Sequence, residues 1–123
     1  MRGVAFLFFV TAVIYVSIGM AWGIMMSATK SYELAGAHAH LNLVGWVSTA
    51  LFGLYYHVVP AAAETKLARL HFGVATLGVV LMVPGIVIAI QTDNPVLAII
   101  GSFLTAASML IFLYTVVRTR ARA

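Results

Sequence analysis

Four histidines are the residues of this chain best suited to chemistry, and two of them, His38 and His40, lie two positions apart. They open an apolar stretch, residues 41–59, that contains no Lys, Arg, Asp or Glu. An ionisable side chain in hydrocarbon is costly, so a histidine there is a candidate functional residue. Residues two positions apart on an α-helix point about 200° apart, because one turn takes about 3.6 residues. The two imidazoles are therefore expected to reach different neighbours instead of sharing one metal ion.

The composition predicts an integral membrane protein. The chain has 123 residues, of which 63% are hydrophobic and 8% are charged, and its mean hydropathy is +1.09. A soluble domain carries about 25% charged residues. The chain has no cysteine, which excludes disulfides, zinc–thiolate sites and iron–sulfur clusters.

Four segments are long enough to cross about 30 Å of hydrocarbon as helices of roughly 20 residues. We place them near residues 4–27, 35–60, 67–90 and 95–117. Polar residues separate the first two, Pro60 ends the second, and Pro95 is expected at the first position of the fourth helix. The predicted fold class is all-α, a single polytopic domain of four transmembrane helices over residues 1–123.

The positive charges predict the orientation of these helices. If the helices alternate, six of the cationic residues fall on one side and only Lys30 falls on the other: Arg2, Lys66, Arg69, Arg118, Arg120 and Arg122. An excess of Lys and Arg marks the cytoplasmic side, so both termini are predicted to be cytoplasmic, and nucleic acid is not an expected partner. A cleaved signal peptide over residues 1–28 is the competing interpretation, but the apolar stretch exceeds the roughly 7–15 residues of such peptides.

Heme is the cofactor that this arrangement predicts for the outer histidines, His38 and His40. Neutral imidazole suits iron, copper and zinc, but a bare metal ion usually needs three or four converging protein ligands. Heme needs only one or two protein ligands. Trp46 and nearby small residues would line the crevice that holds it. A ligating histidine also needs its second ring nitrogen held, for which Ser31, Asn42 and backbone carbonyls near the helix start are candidates. We interpret His57 and His71 as interfacial residues near helix ends and not as ligands, and Met20, Met25 and Met26 as packing residues.

Residues 36–85 resemble two helices of subunit I of the heme–copper oxidase and nitric oxide reductase superfamily. The similarity lies in the His-x-His motif, in a tyrosine pair followed by Pro60, and in a His-Phe pair that restarts the next helix. Pro60 lies 22 residues after His38, as we expect in the family. The resemblance implies that His38 and His40 each bind the iron of a heme, of b type, on opposite sides of the helix.

The departures from the family are equally informative. Subunit I has twelve helices in three four-helix arcs, whereas this sequence has one arc and lacks the motifs that build the copper site. A complete oxygen-reducing site is therefore not expected in one chain, and whether the protein is an enzyme stays open. Three copies would restore twelve helices through closed cyclic symmetry, with His38 and His40 in neighbouring crevices. Small residues would let helices approach closely at three pairs: Gly19 and Gly23, Thr49 and Gly53, Gly101 and Thr105.

Two function classes follow from these features. The first is a heme-binding membrane cytochrome, a homo-oligomer with a trimer favoured, which transfers electrons with a redox partner or binds a diatomic gas. The second is a cofactor-free or metal-handling membrane scaffold, such as an assembly partner of an oxidase. In either case the lipid bilayer is the expected partner, and the expected location is the cytoplasmic membrane of a bacterium or archaeon.

Overall fold

A computed structural model describes the backbone of residues 1–122 and the side chains of residues 1–121. Every regular element in that range is a helix. In chain order the elements are α1 (Gly3–Thr29), α2 (Ala35–His40), a π-helical segment (Leu41–Ser48), α3 (Thr49–Val58), α4 (Pro60–Ala63), α5 (Lys66–Thr92), α6 (Val96–Thr119) and a 3₁₀ turn (Arg120–Arg122). We call α2, the π segment and α3 together the composite helix, residues 35–58.

Three helices are long and apolar enough to cross a membrane by length and composition, namely α1, α5 and α6. This confirms the prediction of a helical membrane protein in its coarse form. The composite helix covers the second predicted segment, but it is divided by the π segment, which the sequence analysis did not anticipate.

Local chemistry sets the ends of these helices. Lys30 adopts the left-handed conformation after α1, and its N–H bonds the carbonyls of the last turn. Val59, which precedes proline, leaves the helical region with φ −121° and ψ 77°. The Thr65 hydroxyl accepts a hydrogen bond from the Ala68 N–H at 3.1 Å and caps α5. Pro95 is the N-cap of α6 and not its first helical residue. The Asn94 side chain accepts from the Val96 N–H at 3.2 Å.

Aromatic side chains from α1, the composite helix, α5 and α6 form the centre of the core. Phe8 of α1 is fully buried, stacks on Tyr56 with ring centroids 5.5 Å apart and meets Phe52 edge to face at 5.6 Å. Phe112 of α6 lies 4.6 Å from Phe52. Because Phe8 belongs to α1, this helix is an integral part of the core.

Glycines bring the helices together within one chain. A Cβ on Gly53 would lie 3.0 Å from the backbone of α1, and one on Gly101 would collide with the backbone of Met82 in α5. Gly19 and Gly23 face side chains of the composite helix. The three small-residue pairs noted in the sequence therefore contain glycines that serve contacts inside the chain.

Gly101→Ala should destabilise the protein, because the added methyl group has no space between α6 and α5. Overpacking of this kind costs about 1–3 kcal/mol. Gly73→Ala is the matched control, since nothing lies within 4 Å of a Cβ there and alanine favours a helix over glycine by roughly 0.5–1 kcal/mol. The free energy of unfolding in mild detergent should fall for the first variant and hold or rise for the second. Equal stability of the two variants would contradict the close α5–α6 contact.

Candidate functional site

The composite helix sends the two outer histidines into different surroundings. His38 is half-buried and contacts α1, whereas His40 is exposed. His38 Nε2 lies 2.9 Å from the Gly19 carbonyl oxygen of α1, and His40 Nδ1 lies 2.7 Å from the Gly36 carbonyl oxygen of its own helix. The expectation that the two imidazoles reach different neighbours is confirmed.

His40 has one ring nitrogen engaged and one available. A carbonyl oxygen can only accept, so His40 Nδ1 carries the proton and donates it to Gly36. This tautomer leaves Nε2 unprotonated, which is the form in which imidazole binds a metal. A backbone carbonyl near the helix start thus holds the His40 ring. The hydrogen bond also fixes the orientation of the ring.

His38 is held against α1 through Nε2, whereas His40 is held through Nδ1. Its Nε2 donates to the Gly19 carbonyl, and a Cβ on Gly23 would lie 3.2 Å from the same nitrogen. The Trp22 ring meets the imidazole edge to face, with centroids 5.8 Å apart. Binding of a metal through this nitrogen requires the hydrogen bond to Gly19 to break.

Asn42 belongs with His38 and not with His40. Its carboxamide nitrogen lies 3.4 Å from His38 Nε2, a contact between two donors and not a hydrogen bond while Nε2 donates to Gly19. Its carboxamide oxygen is buried and has no hydrogen-bond partner among the described residues. Asn42 therefore extends the polar cluster at Gly19 and keeps unused hydrogen-bonding capacity there.

The π segment begins at the residue after His40. A π-helix bonds residues five apart, is rare, and is frequent at functional sites. Two hydroxyl groups also bond carbonyls five residues earlier. Ser48 donates to the Leu43 carbonyl at 3.1 Å, and Thr49 donates to the Val44 carbonyl at 3.4 Å. Trp46 lies in this segment and is half-buried. Among the described residues the aromatic partner of His38 is Trp22 and not Trp46.

His71 lies in the core and not at an interface. It is fully buried, and both ring nitrogens are engaged, Nδ1 with the Tyr56 hydroxyl at 2.8 Å and Nε2 with the Ser108 hydroxyl at 3.1 Å. Phe52 packs on the ring at 4.5 Å. His71 thus joins α3, α5 and α6, while His57 is exposed.

The structure brings together some of the predicted site residues and adds others. His38 and Asn42 form one cluster, and His40 stands apart on the exposed side. Sequence reasoning missed Trp22 as a neighbour of His38, although the flanking Gly19 and Gly23 had marked that stretch of α1 as a close-contact face.

We compared the chain with protein-family models, curated proteins and solved structures, and none of them matches it. Within the described residues, no group of three or more His, Cys, Asp or Glu side chains could hold a metal ion.

Tyr56→Phe should destabilise the protein, because it removes the hydroxyl that partners His71 and leaves a buried ring nitrogen without a bond. Such a loss costs about 1–3 kcal/mol. Tyr114→Phe is the control, since Tyr114 is exposed. Unfolding titrations in detergent should separate the two variants. Equal stability would show that the Tyr56–His71 bond contributes nothing.

Proposed function

We propose that this chain is a heme-binding membrane cytochrome related to heme–copper oxidase subunit I, with His40 as an axial ligand of iron. One observation carries the proposal. The imidazole of His40 is exposed, its Nδ1 is tied to Gly36 at 2.7 Å, and its Nε2 is free to bind. A single free nitrogen of fixed orientation is what a heme requires from a protein ligand.

A bound heme would supply an iron that exchanges one electron or binds a diatomic gas. The chain's own contribution is to orient and polarise the ligand. The Gly36 carbonyl draws on the Nδ1 proton of His40 and makes Nε2 more basic. Exposed apolar side chains on the following turns, Leu43, Val47 and Leu51, would cover the apolar faces of the macrocycle.

His38 is the proposed second ligand, and its position sets a condition on that role. For ligation through Nε2, this nitrogen must leave the Gly19 carbonyl, which it meets at 2.9 Å. While His38 stays at Gly19, His40 would be the one ligand from this chain, and a bound heme could supply an iron that takes up a diatomic gas. If His38 were released, His38 of one chain and His40 of a neighbouring chain would hold the heme between them in a trimer, and the iron would then supply electron transfer.

We further propose that the composite helix spans the membrane as a fourth helix, with both termini cytoplasmic. Its segments of 6, 8 and 10 residues give roughly 35 Å of helix at about 1.5 Å per residue, enough for about 30 Å of hydrocarbon. The charge distribution supports the orientation, with the Arg122 side chain outside the described residues. A membrane scaffold that handles metal ions or assists assembly of an oxidase is the second candidate.

His40→Ala should abolish heme binding, because it removes the ring nitrogen on the exposed side of the composite helix that no hydrogen bond engages. His57→Ala is the matched control, an exposed histidine on the same composite helix. Titration of the purified protein with hemin, followed at the Soret band, should give saturation for the control and none for His40→Ala. Saturation in both variants would refute His40 as the ligand, and no saturation in the unmodified protein would favour the scaffold.

Ser31→Cys should react with an impermeant maleimide added to intact cells, because the 30–34 turn is predicted to face outward. Glu64→Cys, at the opposite end of the composite helix, should react only after permeabilisation. The chain has no native cysteine to give background labelling. The reverse pattern would overturn the proposed orientation.

A further inference from the structure

A cavity of about 440 Å³ lies where the start of α1 meets the end of the composite helix and α4, a size typical of sites that hold small molecules. We call it the α1 cavity. Its walls combine one positive charge, one negative charge and apolar side chains, among them Arg2, Val4, Ala5, Pro60, Ala63 and Glu64.

The α1 cavity lies at one end of a membrane-crossing helix. Helix α1 is long and apolar enough to span the bilayer, so its first residues are expected at the depth where hydrocarbon gives way to lipid headgroups. Arg2, Pro60 and Glu64 are exposed, and the cavity therefore opens to its surroundings. The molecules that are abundant at this depth are phospholipids, and their headgroups are the ligands that the cavity meets first.

The two charges of the cavity do not neutralise each other. Among the described residues, no Arg2 nitrogen lies within 4.0 Å of a Glu64 carboxylate oxygen. A guanidinium binds a phosphate through paired hydrogen bonds, and a carboxylate accepts hydrogen bonds from a primary ammonium, which has three donors. A cation and an anion on the walls of one open space are thus complementary to a ligand that carries both charges.

We propose that the α1 cavity binds the headgroup of phosphatidylethanolamine, with Arg2 on the phosphate and Glu64 on the primary ammonium. An anionic headgroup without an ammonium would place its charge near Glu64 with nothing to pair that carboxylate. A trimethylated ammonium has no N–H to donate. The apolar walls, which include Val4 and Pro60, would contact the glycerol and the first methylene groups of the lipid.

This lipid site is independent of the proposed heme site. His57, which also lines the α1 cavity, lies 17 residues after His40, or about 25 Å along a helix at about 1.5 Å per residue. Titration with hemin therefore does not depend on Arg2 or Glu64, and either proposal can fail without the other.

The test is native mass spectrometry of the delipidated full-length protein, titrated with phosphatidylethanolamine, phosphatidylglycerol and phosphatidylcholine that share the same acyl chains. The unmodified protein should bind phosphatidylethanolamine about tenfold more tightly than the other two lipids, because only this headgroup pairs with both charges. Glu64→Gln should remove most of this preference. Glu33→Gln is the matched control, an exposed carboxylate at the other end of α1, and should keep the preference.

Arg2→Gln should instead weaken the binding of all three lipids by about tenfold, because each of them carries a phosphate. Arg69→Gln removes an exposed cation that does not line the cavity and should leave the affinities unchanged. All four variants replace exposed side chains, so the fold should persist, and a melting curve checks this.

Four results would overturn the proposal. The first is equal binding of the three lipids by the unmodified protein, and the second is an undiminished preference for phosphatidylethanolamine in Glu64→Gln. The third is an equal loss of affinity in Arg69→Gln and Arg2→Gln. The fourth is displacement of the lipid by an equal concentration of soluble O-phosphoethanolamine, which would show that the ligand is a free headgroup and not a lipid.

Discussion

A histidine in an apolar surrounding has to satisfy its ring nitrogens within the protein, and this constraint separates the histidines of the chain. His71 engages both nitrogens, with Tyr56 and Ser108, and therefore stabilises the core. His38 engages one with the Gly19 carbonyl. His40 engages Nδ1 with Gly36 and keeps Nε2 on an exposed face. The capacity to bind a ligand thus follows from which hydrogen bonds are already made.

Close helix contacts make these hydrogen bonds available. The Gly19 carbonyl can be reached by an imidazole because neither Gly19 nor Gly23 carries a side chain that would block it. Gly53 brings the other end of the composite helix equally close to α1. The π segment follows His40 directly. The composite helix therefore has more residues per turn after the histidine pair than before it. His38 lies between α1 and the composite helix, whereas the aromatic core also includes side chains of α5 and α6.

Helix positions were predictable to within a few residues because the stop signals are local. Lys30, Thr65 and Asn94 act on neighbouring backbone groups, and Pro60 restricts the residue before it. The opposite directions of His38 and His40 were predictable from helix geometry alone. The π segment was not, because Ser48 and Thr49 are equally compatible with an α-helix. The partners of His38 and His71 were not predictable either. Trp22 contacts His38, and Phe8 and Ser108 contact His71. These contacts depend on how other helices are rotated, which no local pattern encodes.

The assignment of the free nitrogen of His40 can be measured directly by ¹⁵N NMR of the histidine-labelled protein without cofactor, with resonances assigned from single histidine variants. The account predicts that His40 carries its proton on Nδ1, that its Nε2 is unprotonated, and that addition of hemin perturbs this ring first. It also predicts a proton on Nε2 of His38. A proton on Nε2 of His40, or hemin binding that leaves the His40 resonances unchanged, would contradict the account.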